Sequence, residues 1–197
     1  MLNNAITQFQ EVDNRLGVAQ CLQSIGRIAI LQSNYVEAME MFKKAMKEFQ
    51  RLGKRLGATQ CLQSLGNIAH MQSENEQAKT ILNDAMSQFQ QINHRLGVAS
   101  CMRSLGDIAQ LQNNYDAAKE MLSSAMTEYE QISERLGVAQ CLQSLGDIAQ
   151  SQSNYAEATK LLNSAMTQFR RIGMKGASAQ CLQSLGDIAC MQNSYVL

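Results

Sequence analysis

The stretch Cys21-Leu22-Gln23-Ser24 decides the fold, because the chain repeats it several times. The same four residues return at 61–64, 141–144 and 181–184, and a variant, Cys-Met-Arg-Ser, stands at 101–104. Each copy follows the one before it after 40 residues. A fixed period of this length is typical of proteins built from stacked structural repeats. We therefore predict an array of similar units rather than a closed globular bundle.

Each period contains two amphipathic helices. In the first, helix A, the apolar residues recur at helical spacing: Val18, Cys21, Leu22, Ile25, Ile28 and Ala29. In the second, helix B, the expected buried face consists of Tyr35, Ala38, Phe42, Ala45, Met46 and Phe49. Ser33-Asn34 between the helices predicts a tight turn, with Asn or Ser as the N-cap. Because the link is so short, we expect the two helices to be antiparallel.

These patterns predict one all-α array of about ten helices over residues 1–197. It contains a partial helix B at 1–11, four repeats at 15–52, 55–92, 95–132 and 135–172, and a final helix A at 176–192. The composition agrees, since the chain has no proline, no tryptophan and only 5% aromatic residues. Its commonest apolar residues include strong helix formers.

The repeat resembles the tetratricopeptide repeat, whose pattern is W-x2-L-G-x2-Y followed by A-x3-F-x2-A. Leu22 stands at the tryptophan position, and Ile25-Gly26 stands at Leu-Gly. Ala38, Phe42 and Ala45 match the second half of the pattern with its spacing. The resemblance implies a right-handed α-solenoid of antiparallel helix hairpins. Glycines in mid-helix, such as Gly26, cost helix stability, and we expect a close neighbouring helix to compensate.

The sequence also departs from the family pattern. Ala29 and its equivalents replace the tyrosine, Gln50 stands where the terminal proline is expected, and the period is 40 residues instead of about 34. This longer repeat resembles arrays in fungal proteins, which often follow a signalling NTPase module. No phosphate-binding motif of the G-x-x-x-x-G-K-[ST] type occurs in this chain.

The resemblance implies that a peptide or partner protein binds on a concave surface lined by helices A, which makes the chain a protein–protein interaction scaffold. The predicted partner-binding residues lie on the polar side of those helices: Gln20, Gln23, Arg27, Gln60, Gln63, Asn67, Arg103, Asp107, Gln140, Gln143, Asp147, Gln180, Gln183 and Asp187. Glutamine both donates and accepts hydrogen bonds, which suits a peptide backbone, and the aspartates favour basic or amide-rich ligands. An alternative interpretation is that near-identical repeats simply duplicate a solvated surface.

Some members of the family hold a terminal carboxylate with a row of basic and amide side chains. Only Arg27, Asn67 and Arg103 are candidates for such a role here. Arg103 lies one helical turn before Asp107, whose carboxylate is placed to neutralise it. The sequence therefore disfavours capture of a terminal carboxylate.

No pattern of catalytic or metal-binding residues is present, and we predict that the chain is not an enzyme and has no cofactor. Five of its six cysteines share one position in successive helices A, and no C-x-x-C spacing occurs. They are expected to be small buried apolar residues, whereas Cys190 lies outside this row. His70 and His94 are isolated.

Seventeen basic and seventeen acidic residues cancel, and this balance argues against a nucleic-acid partner. No apolar run reaches the length that crosses a bilayer, and residues 1–10 do not resemble a signal peptide. A soluble cytoplasmic location without a membrane partner is expected. The final helix still has an apolar side, including Leu182, Leu185 and Ile188. It predicts either end-to-end homo-oligomers or a piece of a longer array.

Overall fold

The computed structural model describes residues 2–194 and, within them, all side chains except those of Asn3, Asn193 and Ser194. The helices over this range are α1 (Leu2–Glu11), α2 (Arg15–Leu31), α3 (Tyr35–Arg51), α4 (Arg55–Met71), α5 (Asn75–Gln91), α6 (Arg95–Leu111), α7 (Tyr115–Gln131), α8 (Arg135–Ser151), α9 (Tyr155–Arg171) and α10 (Lys175–Ser194). No strand occurs in this range. The predicted all-α repeat fold of about ten helices is confirmed.

The helices alternate in type as expected. The helices A are α2, α4, α6, α8 and α10, and the helices B are α1, α3, α5, α7 and α9. The helices from α2 to α9 are each 17 residues long. Residue 1 of the predicted first helix, and 195–197 of the predicted array, lie outside the described residues. None of the described helices has the length and hydropathy needed to cross a membrane.

Every link between consecutive helices has three residues, and its second residue has a positive φ. In the first hairpin the Asn34 amide donates to the Ala29 carbonyl at 2.8 Å, and the Ser33 amide donates to the Ile30 carbonyl at 2.9 Å. This pair of bonds is the Schellman motif that ends many helices. The Asn34 side chain then accepts from the Glu37 amide at 3.3 Å. The predicted asparagine N-cap is therefore confirmed.

A glycine in the middle of helix A lets helix B of the same hairpin approach closely. A Cβ atom added to Gly66 or Gly146 would lie 2.8 Å from Cγ of Leu82 or Leu162, respectively. Added to Gly26, it would lie 3.0 Å from the ring of Phe42. The expected close approach of a neighbouring helix at these glycines is confirmed.

A second glycine, near the start of helix A, faces the helix B that precedes it. A Cβ atom at Gly57 would lie 2.7 Å from the ring of Phe49, and one at Gly137 would lie 2.4 Å from the ring of Tyr129. Each inner helix A therefore has tight contacts with two helices B. This explains why the fully buried Ala139 lies outside the single apolar stripe of the sequence pattern.

The chain divides into two compact units, residues 1–97 and 98–197. The core of the first unit joins small and large apolar side chains of α2, α3 and α4, among them Ala19, Phe42 and Ile68. The second unit has one core cluster that joins α6, α7 and α8, with Leu122 and Ile148 fully buried, and two smaller clusters that join α8, α9 and α10. Alanine and glycine at the contacts keep the helix axes close, and the larger side chains fill the remaining space.

One residue of the expected apolar stripe of α2 is exposed, whereas the others are buried or half-buried. Ile28 is 43% exposed, whereas its equivalents Ile68, Ile108 and Ile148 are fully buried. Ile68 belongs to a core that also contains Ala29 of the preceding helix A. In the described chain no helix A precedes α2, so Ile28 has no such neighbour. The prediction that Ile28 is buried was wrong for this reason.

Candidate partner-binding surface

In the first unit the predicted binding residues lie on α2 and α4. Gln20 and Arg27 of α2 are exposed, whereas Gln23 is half-buried. The three residues on α4, which are Gln60, Gln63 and Asn67, are all half-buried. Polar side chains therefore reach solvent from both helices A of this unit.

Among these residues, Asn67 has a buried side-chain acceptor without a hydrogen-bond donor. Its Oδ1 atom is buried and has no hydrogen-bond partner. A buried acceptor without a donor costs free energy, and a donor supplied by a ligand would remove that cost. The exposed guanidinium of Arg27 stands at the equivalent position of α2.

In the second unit a hydrogen-bond network ties α6 to α8. Arg103 Nη1 donates to Asp107 Oδ2 at 2.7 Å, so the expected neutralisation of Arg103 by Asp107 is confirmed. Ser144 of α8 donates from its hydroxyl to Asp107 Oδ1 at 2.8 Å. Both carboxylate oxygens of Asp107 are therefore occupied, which leaves neither Asp107 nor Arg103 well placed to hold a terminal carboxylate.

Tyr129 belongs to the same network and was missed by the sequence interpretation. Its hydroxyl hydrogen-bonds with Ser100 and Arg103, and burial raises the pKa of the phenol. The Nε atom of Arg103 is buried without an acceptor. Phenylalanine occupies the position of Tyr129 in the other described helices B, at Phe49, Phe89 and Phe169 among others. That single substitution was the signal that a polar cluster lies here.

Asp147 of α8 differs from Asp107 because none of the described side chains donates a hydrogen bond to its carboxylate. Burial, and secondarily the negative charge of Asp107, raise the pKa of Asp147 to about 6. A half-buried carboxylate with a raised pKa lacks the donors or cations that would stabilise its charge. Asp147 is therefore the residue of this surface that would benefit most from a positively charged ligand.

A cavity of about 590 Å³ opens beside Asp147, between α8 and α10. The residues that line it are Asp147, Gln150, Ser151, Ser153, Tyr155, Ser184 and Met191. Its volume is sufficient for a long side chain and adjoining backbone of a ligand. Of the predicted set only Asp147 lines it. Gln150 was missed although it follows Asp147 by three residues, a spacing that keeps it on the same side of the helix.

The other predicted residues of α8 and α10 do not line this cavity. Gln140 and Gln143 of α8 are half-buried. Gln180, Gln183 and Asp187 of α10 are exposed. The structure therefore distinguishes one concave feature at Asp147 from a larger set of solvated polar side chains.

A second cavity, of about 600 Å³, lies between α1, α2 and α3 in the first unit. Four cations line it, but three of them already have acidic partners. Arg15 pairs with Asp13 at 3.3 Å, Lys44 with Glu40 at 2.6 Å, and Arg51 with Glu48 at 2.7 Å. Its positive charge is therefore largely neutralised, and it is a weaker candidate than the cavity at Asp147.

The cysteine row is part of the core. Cys21, Cys61, Cys101, Cys141 and Cys181 are buried as predicted, and Cys190 is exposed. Burial raises the pKa of Cys61, Cys101 and Cys141 to about 12, so these thiols stay protonated near neutral pH. Among residues 2–194 no three His, Cys, Asp or Glu side chains are placed to share a metal ion. His94 accepts a hydrogen bond from the Gly97 amide at 3.0 Å and so caps α6.

Comparison with known families gives a match to part of the chain. Residues 58–131 match the family model of the tetratricopeptide repeat. This segment extends from α4 to the end of α7. No curated protein matches the sequence.

Many solved structures have a similar fold, and the three described here are distant from this chain in sequence. The apo form of RapI has a TM-score of 0.78 at 16% identity, over 99% of this chain and 73% of that one. BtubC (BKLC) from P. vanneervenii has a TM-score of 0.70 at 11% identity, over 98% and 89%. The Rap conjugation gene regulator of the plasmid pLS20, in complex with the Phr* peptide, has 0.75 at 15% identity, over 91% and 50%. This chain thus spans half the length of that regulator. The TM-scores show a shared fold, and at such low identities they show the fold alone.

Proposed function

We propose, on the premise that this chain is a tetratricopeptide repeat protein, that it is an interaction scaffold whose helices A bind a peptide or an extended segment of a partner protein. A side chain of arginine or lysine in the ligand occupies the cavity beside Asp147. The predicted glutamines of α8 and α10 bind its backbone. Under this proposal the chain performs no catalysis.

The observation that carries the proposal is the position of Asp147. Its carboxylate borders a cavity of about 590 Å³ and is half-buried, without a hydrogen-bond donor in the described part of the chain. Asp107 lies close enough to raise the pKa of Asp147, although Arg103 balances part of its charge. A ligand cation would stabilise the ionised form of Asp147 and replace the water that this carboxylate has lost.

Three further observations favour a peptide over a small molecule. The cavity is bordered by amide and hydroxyl side chains, including Gln150 and Ser184, which donate and accept hydrogen bonds as a peptide backbone requires. The polar side of α8 also continues beyond the cavity, through Gln140 and Gln143. The similar Rap regulator of pLS20 was solved with a peptide bound, which supports the same ligand class here.

The test is a synthetic peptide array probed with the wild-type chain, with the Gln143→Lys/Asp147→Lys double variant, and with Ser124→Lys. Ser124 is exposed on α7 and does not line the cavity, so it is the control for a lysine placed elsewhere on the surface, and it adds one positive charge where the double variant adds three. We expect arginine- and lysine-containing peptides to dominate the spots bound by the wild type and by Ser124→Lys. The double variant should bind them at least about 10-fold more weakly.

Circular dichroism of all three proteins checks that the helices are retained. Equal binding by the double variant, or bound peptides without any preference for basic residues, would contradict the role of Asp147. Absence of any bound peptide would contradict a peptide ligand altogether.

A further inference from the structure

One side of α10 is uncovered although the same side of α8 is buried. Leu182 is 57% exposed, and Gly186 and Ala189 are exposed as well. One repeat earlier, Gly146 is buried and Ala149 is only 4% exposed. The uncovered residues, Leu182, Gly186 and Ala189, are called the α10 face below.

In α8 the equivalent side is covered by helix B of the same hairpin. Leu162 lies over Gly146 so tightly that a Cβ atom on the glycine would be 2.8 Å from Cγ of the leucine. At Gly186 no atom would lie within 4 Å of such a Cβ. The α10 face therefore has the shape of a helix A that lacks its helix B.

The helix that has the matching residues is α1. Its residues Leu2, Ala5 and Phe9 stand 160 positions before Leu162, Ala165 and Phe169 of α9. In α9 those three residues are 0–1% exposed, whereas all three in α1 are only half-buried. The apolar side of α1 is thus partly uncovered at the positions that close a hairpin elsewhere in the chain.

The structure points to a second copy of this chain as the occupant: we propose that α1 of one copy packs on the α10 face of another, with Leu2 of the second copy over Gly186. This inference goes beyond the proposed peptide binding and does not depend on it. The contact is the helix A–helix B interface that the chain already makes within its own hairpins, as between Leu162 and Gly146. The proposed contact between copies therefore repeats an interface that is seen within one chain.

Helix α1 can pack at once against α2 of its own copy and against α10 of another copy. Its Phe9 ring already covers Gly17 of the same copy, where a Cβ atom would lie 2.6 Å away. Helix α3 shows the arrangement in full, since Phe42 lies over Gly26 before it and Phe49 over Gly57 after it. In α1, Leu2 stands at the position of Phe42 and has no helix A before it in the described chain.

The proposed contact joins two different surfaces, so it is heterologous. Each added copy leaves one α1 and one α10 face free. The expected products are head-to-tail dimers and longer open chains, whose length grows with protein concentration.

The experiment is sedimentation velocity of the 197-residue chain over a roughly 100-fold range of concentration. The variants are Leu182→Lys, which blocks the α10 face, and Ala5→Lys, which blocks α1. Each alone should weaken association by about 100-fold, because a lysine would be buried without a partner. Ser124→Lys, with the same added charge on α7, should associate as the wild type does.

Mixing the two blocked variants distinguishes this contact from all symmetric ones. Leu182→Lys retains a functional α1, and Ala5→Lys retains a functional α10 face. An equimolar mixture should therefore form a 1:1 complex and nothing larger. Should Ala5→Lys unfold α1, the outcome is unchanged, since that variant contributes only its α10 face to the complex.

Three results would overturn the proposal. The first is a wild-type chain that stays monomeric at every concentration. The second is an Ala5→Lys variant that associates as well as the wild type, which would indicate pairing of two α10 faces. The third is a mixture without a 1:1 complex. A synthetic peptide of residues 155–171 provides a further probe: if a monomeric chain binds it, the α10 face accepts a helix B from a source other than a second copy.

Discussion

Ser144 on α8 donates a hydrogen bond to Asp107 on α6 at 2.8 Å, and through it two successive helices A share one polar network. Arg103 binds the other oxygen of the same carboxylate. Asp147, one helical turn after Ser144, has no comparable donor in the described chain. One aspartate therefore has a structural role in the second unit, and the other is available to a ligand.

Replacing Ser144 with alanine should lower the free energy of unfolding by about 1 kcal/mol, because Asp107 would lose a hydrogen bond in a half-buried setting. Ser64→Ala is the matched control. Ser64 occupies the equivalent position of α4, but its hydroxyl donates only to the Gln60 carbonyl of its own helix. Urea unfolding of both variants checks the prediction, and an equal loss from both would contradict the importance of the Asp107 bond.

Replacing Asp147 with asparagine should stabilise the chain near neutral pH. The pKa of Asp147 is raised to about 6 in the folded state, so the ionised carboxylate opposes folding above that pH. Its contribution to stability is fully present below its ordinary pKa near 4 and is lost as the pH rises through about 6. We expect a gain of about 1 kcal/mol at about pH 7.5, well below the roughly 3 kcal/mol that the raised value alone would give, because solvent reaches the half-buried side chain.

Thermal unfolding of Asp147→Asn at several pH values measures this gain. The gain should shrink as the pH falls below about 6 and disappear near pH 4. Asp187→Asn, at the exposed equivalent position of α10, is the control and should leave stability unchanged. A destabilised Asp147→Asn variant at neutral pH would show that the carboxylate has a stabilising partner.

Binding of basic peptides should weaken in acid for the same reason. As the pH falls through about 6, Asp147 gains a proton and no longer attracts a cationic side chain. Fluorescence anisotropy provides the comparison, with an arginine-containing peptide selected on the synthetic peptide array and measured at about pH 7.5 and pH 5. Asp147→Asn should bind the peptide weakly at both values, and a wild-type affinity that does not change with pH would contradict the prediction.

Gly146→Ala and Gly186→Ala should have opposite effects on stability. A methyl group on Gly146 would press against Leu162, and we expect a loss of about 1–3 kcal/mol. Gly186 has open space at the same position, so alanine should stabilise α10 by up to about 1 kcal/mol through its higher helix propensity. Both are measured by urea unfolding at a concentration at which the chain is monomeric. Losses of similar size would show that crowding does not explain the glycine at 146.

Ser153→Gly should stabilise the link between α8 and α9. Ser153 has a φ of 59°, a conformation that glycine adopts without strain. We expect a gain of about 0.5–1 kcal/mol, since the strain removed exceeds the added entropy of the unfolded chain. Thermal unfolding of Ser153→Gly and of the exposed neighbour variant Gln152→Gly provides the test. A gain from Gln152→Gly as well would indicate a different cause.

The 40-residue period made most of the fold predictable. It located both helices of each repeat, the tight links, and the pairing of Gly26 with a close neighbour. Ile28 could not be placed correctly, because its burial in other repeats depends on a preceding helix A that a local pattern does not reveal. Ala19 was missed since a stripe pattern assumes one buried side, whereas an inner helix A contacts two helices B.

The candidate site was predictable only in outline. The polar side of the helices A was evident from spacing, and Arg103 already distinguished Asp107 from Asp147, but the sequence did not show that Ser144 reaches Asp107 from another helix. Their difference arises from Arg103 and Ser144, which occupy the two oxygens of Asp107. Tyr129 joins the same cluster from a helix B, and such a contact between separate helices depends on tertiary packing.

The pairing of Gly146 with Leu162 has a consequence for how such a chain can change in length. Both members of the pair belong to one hairpin, and the pairs Gly66–Leu82 and Gly106–Leu122 have the same form. Removal or duplication of a whole 40-residue segment would therefore preserve each tight contact inside a hairpin. A gene encoding this chain can gain or lose length in steps of one hairpin, without a new core having to evolve at each step.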